Sequence, residues 1–565
     1  MPSIAELHAE LTASGQPFEM EELPIGGIPT RVWKHAPPSL RAVLDISRGH
    51  GDVDFLVYED ERWNYERHFR SVAHLAAVLR DELGVGKGDR IAIAMRNFPE
   101  WSVAFWAATA IGAIAVPLNA WWTGAELAYG LRDSASTVLF CDGERLDRLA
   151  DELAGITTLR TVVMVRDERT DSPGDARHFD DVLGAVPADA ELPDADIHPE
   201  DDATIFYTSG TTGFPKGVLG THRNICTNLM SLGFGAARAA RRTPSAGKAA
   251  TPPSTRNVHL LSVPFFHATG CHSVLVANLA AGNTIVLMHK WDAGRALELI
   301  EREGVTNFGG VPAMVWQVIE HPDFEHRDLS SLRGVGYGGA PAAPELVRKI
   351  EELFPGRHPT NGYGLTETSS VTTLNSGIDY QQHPDSVGVP VPVCDVKVVG
   401  PEGDTLPTGD IGELWIKGPN VVKGYYGKPE ATAESFSDGW LHSGDLGRID
   451  AEGFVYLVDR AKDLLIRGGE NISSVEVEAA LFEHEAVTDA AVIGVPHPVL
   501  GEEVGAVVHT APGTSVTEDQ LREHVADRLA AFKVPTRIWF SAEPLPRNPA
   551  GKILKRDLKA ELLDD

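Results

Sequence analysis

Between residues 54 and 365, short β-branched and apolar runs alternate with stretches whose apolar positions recur every three or four residues. RIAIAM (90–95), AIAVPL (113–118), TVLFCD (137–142), RTVVMV (160–165), HLLSVPF (259–265) and TIVLMHK (284–290) read as strands. YERHFRSVAHLAAVLRDEL (65–83), GERLDRLADELAG (143–155) and DAGRALELIEREG (292–304) read as amphipathic helices. The alternation predicts α/β architecture with doubly wound, largely parallel sheets, in which ligands sit beyond the carboxyl ends of the strands. After about Ser386 the texture changes. VKVVG (396–400), GELWIKG (412–418) and FVYLVD (454–459), parted by Gly/Pro-rich turns, predict a β-rich subdomain. From Arg460 onward a helix (473–484), two strands (490–495, 502–510), a helix (517–532) and a strand (536–540) make a small α+β unit. The expected division is a large domain over 1–459, a hinge at 460–463 and a small mobile domain over 464–565.

One stretch, Trp101 to Trp122, carries no charge over 22 residues and is long enough to span a bilayer. Gly112 and Pro117 break it, so it reads as a buried helix followed by a strand. Residues 234–257, rich in Ala, Pro, Ser and Arg without an apolar period, read as a mobile loop. Its five basic residues (Arg238, Arg241, Arg242, Lys248, Arg256) offer the alternative of attracting nucleotide phosphates.

At 565 residues the chain exceeds what one core organises. Fifty Lys+Arg against 80 Asp+Glu give a formal charge of -30, which makes nucleic acid and anionic membrane poor partners. The four scattered cysteines lack any C-x-x-C spacing, and the N-terminus lacks a basic start followed by an apolar run. Together these predict a cytoplasmic protein without a disulfide framework or stable membrane insertion.

The richest motif is Tyr207–Gly217, YTSGTTGFPKG, directly after the strand ATIF. The glycines (Gly210, Gly213) free backbone N–H groups to turn inward. The hydroxyls of Thr208, Ser209, Thr211 and Thr212 add donors and Lys216 a positive charge, the set a polyphosphate needs. A Walker A loop is excluded, because Pro215 precedes the lysine and Gly217 follows it. GVGYGG (334–339) matches a dinucleotide fingerprint only formally, since Glu351 and Glu352 come too early for its acidic partner. It reads instead as a backbone strand against which a flat ring can lie. In Asn361-Gly362-Tyr363-Gly364-Leu365-Thr366-Glu367, a carboxylate beside a hydroxyl suits Mg²⁺, which takes few protein oxygens and completes its shell with phosphates. Asp445, after Ser443-Gly444, offers paired acceptors for ribose hydroxyls, and Arg460 a grip on phosphate or sugar. Pro546-Arg547-Asn548-Pro549-Ala550-Gly551-Lys552 sets one lysine just past a tight turn.

In this order and spacing the motifs resemble the adenylate-forming superfamily of acyl-CoA synthetases, luciferases and peptide-synthetase adenylation domains, from about residue 40 to 560. The resemblance implies a two-step ligation: a carboxylate attacks the α-phosphorus of ATP and expels pyrophosphate, then the CoA thiol displaces AMP. It makes Thr208–Gly213 and Lys216 the phosphate loop, and Gly338, Gly339, Ala340 and Pro341 part of the adenine segment. Asn361, Gly362, Tyr363 and Gly364 would serve the same ring. It gives Thr366 a phosphate oxygen, Glu367 Mg²⁺, Asp445 with Arg460 the ribose, and Lys552 the reacting carboxylate. Lys462 becomes the hinge residue, whose rotation would withdraw Lys552 and bring Gly468, Gly469 and Glu470 to line a thiol tunnel.

On the acyl side, VPFFHATG (263–270) matches the family's motif. An Asp expected in amino-acid-activating members is missing, which disfavours an amino acid. His267, Cys271 and His272 have metal-like spacing but fall short of four ligands, so zinc is disfavoured. His267, Gly309, Gly310, Val311, Gly336 and Tyr337 are the implied pocket residues. Small walls suit a medium- or long-chain fatty acid; aryl and steroid side-chain acids stay open. The alternatives are an acyl-AMP ligase loading a carrier protein and a non-catalytic nucleotide-binding regulator. The regulator would have lost Lys552 or Glu367. A homodimer stays open.

Overall fold

The computed structural model describes residues 2–169, 173–208, 215–242, 256–338, 344–354, 359–460, 463–467, 470–511, 513–548 and 551–563. Two large sheets carry the first part of the chain. In the seven-stranded sheet, Arg90–Ala94, Ile114–Pro117, Val138–Asp142 and Thr161–Val165 run parallel. Their residues are almost wholly buried, as strands covered on both faces must be. In the nine-stranded sheet, Asp54–Tyr58, Thr284–Leu287, Val258–Leu260, Asn307–Gly310, Gly334–Gly338 and Thr360–Tyr363 run parallel in that spatial order.

One core serves both sheets. It joins Phe55 and Ile285 of one to Ile91 and Phe140 of the other, through the helices Tyr65–Asp81 and Pro99–Ala110. The second of these is buried on every side, Trp101 and Trp106 included. That is why its sequence has no polar face and reads like a membrane span. No helix among the described residues is long and apolar enough to cross a membrane.

A five-stranded antiparallel sheet follows, built on Asp395–Val399, Gly412–Lys417, Trp440–Ile449 and Val455–Arg460. The last part has its own five-stranded sheet, its own core around Val477, Val492, Val508 and Leu521, and helices Ser474–Phe482, Glu518–Ala526 and Lys555–Leu563. It is tied back to the preceding strand. Asp459 accepts the Ser474 N–H at 2.5 Å, and the Ser473 hydroxyl donates to the Val458 carbonyl at 2.6 Å.

The strand expected over 284–290 ends at Leu287 and the helix expected over 143–155 at Leu149, and three further expectations need correction here. The strand expected over 259–265 stops at Leu260, and Pro264, which has no N–H to offer a ladder, sits in the turn beyond. The helix expected over 517–532 ends at Ala526, after which Leu529 and Phe532 fold onto the C-terminal core. The loop expected over 234–257 is helical as far as Arg242, at the end of His222–Arg242. Phe234 is buried, Arg238 donates to the Leu374 carbonyl at 2.6 Å, Arg241 pairs with Glu10, and Arg242 pairs with Asp379 at 2.5 Å. Those three arginines therefore fasten the helix instead of waiting for phosphate. Lys248 lies outside the described residues.

Candidate active site

Strands Asp202–Thr208 and Lys216–Thr221 are antiparallel, with Thr208 opposite Lys216. The glycine- and hydroxyl-rich loop therefore leaves and re-enters the sheet at one place. Ser209, Gly210, Thr211, Thr212 and Gly213 themselves lie outside the described residues. The Lys216 ammonium stands 4.9 Å from the Tyr425 ring centroid, a cation–π contact. The Tyr425 hydroxyl in turn donates to Glu367 Oε1 at 2.9 Å. Tyr425 escaped the sequence reading. Its signal was an aromatic pair inside a glycine turn, GYYG (424–427), which has no diagnostic spacing.

Glu367 sits on a single 3₁₀ turn, Thr366–Thr368, just past the strand Thr360–Tyr363. The turn is held hard. The Leu365 N–H donates to Thr368 Oγ1 at 2.9 Å, and the Asn420 amide reaches the carbonyls of Thr368 (3.3 Å) and Val371 (3.1 Å). A β-carbon at Gly364 would stand 1.8 Å from the Ser370 carbonyl, so no other residue fits. Ser369 and Ser370 take positive φ (55° and 103°), strain of the kind that surrounding structure must impose. Burial holds the Glu367 carboxyl above its ordinary range, while Tyr425 and Arg460 pull it back toward the ionised form.

Asp445 and Arg460 pair across adjacent strands, with Arg460 Nε 3.0 Å from Asp445 Oδ1. The Tyr363 hydroxyl donates to the other oxygen at 2.8 Å. Two contact chains thus form, Tyr363–Asp445–Arg460 and Glu367–Tyr425–Lys216, and the charges of Arg460 and Asp445 act on Glu367.

The register of the nine-stranded sheet places the remaining candidates. Gly309 lies beside Gly336, Gly310 beside Tyr337, Tyr337 beside Asn361, and Gly338 beside Gly362. Among the described residues a β-carbon at Gly336 would meet only the Thr360 carbonyl, at an ordinary contact distance of 3.7 Å. Tyr337 is a correction. Period-two alternation turns its side chain to the opposite face, where it joins the core with Leu346 and Ile350 and accepts the Tyr380 hydroxyl at 2.8 Å. It is not a wall on the Gly336 face. Asn361 is buried, and its amide also hydrogen-bonds Tyr380. Any part it plays toward a nucleotide ring falls to its backbone.

Val311 caps the helix Pro312–Ile319 at the end of the strand carrying Gly310. Against it lies Gly551, at φ +80°, where a β-carbon would stand 2.3 Å from Val311 Cγ2. Gly551 and Lys552 close a tight turn. The Lys552 N–H donates to Asn548 Oδ1 (2.9 Å), the Asn548 N–H to the Lys552 carbonyl (2.8 Å), and Arg547 to the Gly551 carbonyl (2.7 Å). The C-terminal unit therefore delivers its lysine turn to the same row of strand ends that leads to Glu367. Two strand spacings, roughly 10 Å, separate Gly310 from Asn361.

His267 caps no charge. Burial lowers its pKa to about 4, so it is neutral, and its Nε2 has no hydrogen-bond partner. No cluster of His, Cys, Asp or Glu able to hold a metal by itself occurs among the described residues. Gly339, Ala340, Pro341, Lys462, Gly468 and Gly469 lie outside them, while Glu470 pairs in register with Arg467.

The family model of the AMP-binding enzymes matches residues 45–426, and that of the AMP-binding enzyme C-terminal domain matches 476–552. The chain belongs to this adenylate-forming family. Among curated relatives of this AMP-binding enzyme, a feruloyl-CoA synthase from Amycolatopsis sp is 36% identical over 495 residues, 88% of this chain and 93% of its own. A long-chain-fatty-acid–CoA ligase from Bacillus subtilis is 35% identical over 549 residues, covering 93% and 94%. Among solved structures, the anthranilate CoA ligase AuaEII with anthranoyl-AMP superposes with a TM-score of 0.81 at 26% identity, covering 92% of this chain and 96% of that one. The AMP-binding enzyme described here is accordingly an acid–thiol ligase of the acyl-CoA synthetase family, with the expected large α/β domain and small C-terminal domain.

Proposed function

We propose that the chain uses ATP to convert an apolar carboxylic acid to its acyl-adenylate and then passes the acyl group to CoA, releasing AMP. One observation carries the reading: the Gly551–Lys552 turn rests on Val311, beside the strands whose ends lead to Tyr363 and Glu367. The first step brings two anions together, so its barrier is electrostatic. Lys552 answers the charge shared by the attacking carboxylate and the α-phosphate. Lys216, poised over Tyr425, and the loop from Thr208 answer the β- and γ-phosphates. Tyr363 and Asp445 orient the nucleoside. No general base is required, because a carboxylic acid is already ionised near neutral pH.

A magnesium ion accompanying ATP fits a single buried carboxylate, since such ions keep waters and phosphates as their other ligands. Glu367 would hold it, and it would supply charge neutralisation for departing pyrophosphate. In the second step the CoA thiolate attacks the acyl carbon and AMP leaves. A hinge near Lys462 would retire Lys552 and present the 468–470 segment.

The acid carries no ammonium that needs an Asp partner. The relatives' names divide between feruloyl and long-chain fatty acids, and the missing side chain at Gly336 obstructs neither class. The test is AMP release against a panel of ferulate, 4-coumarate, anthranilate and C6–C18 fatty acids, each with CoA or with a holo carrier protein. The reading expects turnover with CoA for at least one class. Release only with the carrier protein would replace it with an acyl-AMP ligase.

A further inference from the structure

The lysine turn is anchored on both sides. Five residues before Lys552, Arg547 pairs with Asp489 at 2.5 Å. Three residues after it, Lys555 opens the last helix, and its ammonium stands 2.6 Å from Glu478 Oε1. The same oxygen accepts the Val492 N–H at 2.8 Å. Both carboxylates belong to the C-terminal unit, so these two pairs fix the turn within that unit. Lys555 reaches further. Its ammonium also donates to the Ser474 hydroxyl at 2.7 Å, and that hydroxyl donates in turn to Asp459 Oδ1 at 3.2 Å.

Asp459 lies on the other side of the expected hinge. It sits in the strand Val455–Arg460, opposite Leu446 and next to the arginine that pairs with Asp445. Both of its oxygens are engaged. Oδ2 takes the Ser474 N–H at 2.5 Å, and Oδ1 takes the Arg460 N–H at 2.7 Å besides the Ser474 hydroxyl. Asp459 and Ser474 are both buried. The contacts Asp459–Ser474–Lys555–Glu478 therefore run from the strand carrying Arg460, through the start of helix Ser474–Phe482, to the helix that follows Lys552. Charge matters as well as geometry. Asp459 pushes the Glu478 carboxyl toward its protonated form, while Lys555 pulls it back. The two carboxylates are thus close enough to repel, and the ammonium of Lys555 offsets that repulsion.

We propose that Lys555 is a positioning residue for adenylation: its ammonium, through Ser474, joins the Lys552 turn to Asp459 across the hinge and so holds Lys552 at the strand ends. This deepens the acid–CoA ligase reading and rests on it. Ser474 and Lys555 belong to the C-terminal unit, whereas Asp459 belongs to the strand that pairs Arg460 with Asp445. Rotation about 460–463 would break the Ser474–Asp459 hydrogen bonds. The relay therefore favours the arrangement of the first half-reaction and contributes nothing to the second.

The experiment compares the full unsubstituted chain with Ser474→Ala, Lys555→Met and Lys555→Arg, using whichever of ferulate or decanoate supports pyrophosphate exchange. Ser474→Ala cuts the relay but keeps the Lys555–Glu478 pair, so Tm should stay near that of the unsubstituted chain. Its kcat for exchange should fall about three- to tenfold, the scale of one hydrogen bond, and that of Lys555→Met about tenfold or more. Lys555→Arg, which keeps the charge, should recover most of the exchange that Lys555→Met loses. KM for ATP and for the acid should not move, and thioester formation from supplied acyl-AMP should hold or quicken. Unaltered exchange in Ser474→Ala would overturn the assignment whatever Lys555→Met does. Equal loss of both half-reactions in Ser474→Ala would do the same, by making the network a staple of the C-terminal fold. A raised KM for ATP at unchanged kcat would also overturn it, by assigning the network to nucleotide binding through Arg460. Should Lys555→Met fail to fold, Ser474→Ala alone decides. Absence of exchange with every acid in the unsubstituted chain would defeat the ligase reading itself, before any variant is made.

Discussion

Gly551 lies against Val311 so closely that a β-carbon on it would stand 2.3 Å from Val311 Cγ2. At φ +80° the position is also one that L side chains resist. Gly551→Val should therefore unseat the lysine turn from the strand ends while leaving the C-terminal core, built on Val477, Val492 and Leu521, undisturbed. The expected result is a fall of about 10- to 100-fold in pyrophosphate exchange, because misplacing a catalytic group by an ångström costs on that order. Thioester formation from presynthesised acyl-AMP should change little. A parallel loss of both half-reactions would mean that the contact is structural only.

Several of these positions stand out as candidates in the chain alone, and the reasons differ by residue. Thr208, Lys216, Glu367 and Asp445 stand out because each has glycine or hydroxyl neighbours at short spacing, the pattern expected of a phosphate or sugar site. Tyr425 does not, because its role arises from a strand bridge to Val218, more than 200 residues earlier in the chain. Tyr337 misled because a strand of alternating glycines hides which face its one large side chain takes. The helix beyond Phe234 was missed because Arg238, a buried arginine, breaks the apolar period that marks a helix face.

The Glu367–Tyr425 hydrogen bond favours the ionised carboxylate, whereas burial opposes it. Tyr425→Phe removes the favourable part, so the acid limb of the pH profile for adenylation should move to higher pH. The alkaline limb should stay in place. A profile unchanged on both sides would mean that Glu367 does not govern the step.

The same burial has a stability consequence of fixed sign. A carboxyl whose folded pKa is raised contributes stability in its protonated form and loses it as pH rises through that pKa. At pH 7.5, Glu367→Gln should therefore raise Tm while cutting pyrophosphate exchange by about 10²- to 10³-fold, the scale of losing one electrostatic stabiliser. The Tm gain should shrink toward acidic pH. A lowered Tm would show that the carboxylate is paid back within the fold itself.

A β-carbon on Gly336 would make only an ordinary contact among the described residues, with the Thr360 carbonyl at 3.7 Å. Gly336→Val would add bulk on the face of the strand that carries Gly336. The acid profile should shift toward smaller acids, with bulky ones losing about tenfold or more in kcat/KM and KM for ATP unaltered. Equal loss across all acids would remove Gly336 from the pocket.

The most direct measurement of the central claim separates the two half-reactions of Lys552→Ala in single-turnover experiments. Adenylation, followed as carboxylate-dependent pyrophosphate exchange, should fall by about 10³-fold. CoA thioester formation from supplied acyl-AMP should stay within a few-fold of the unsubstituted chain. Equal loss in both half-reactions, or unimpaired adenylation, would contradict it.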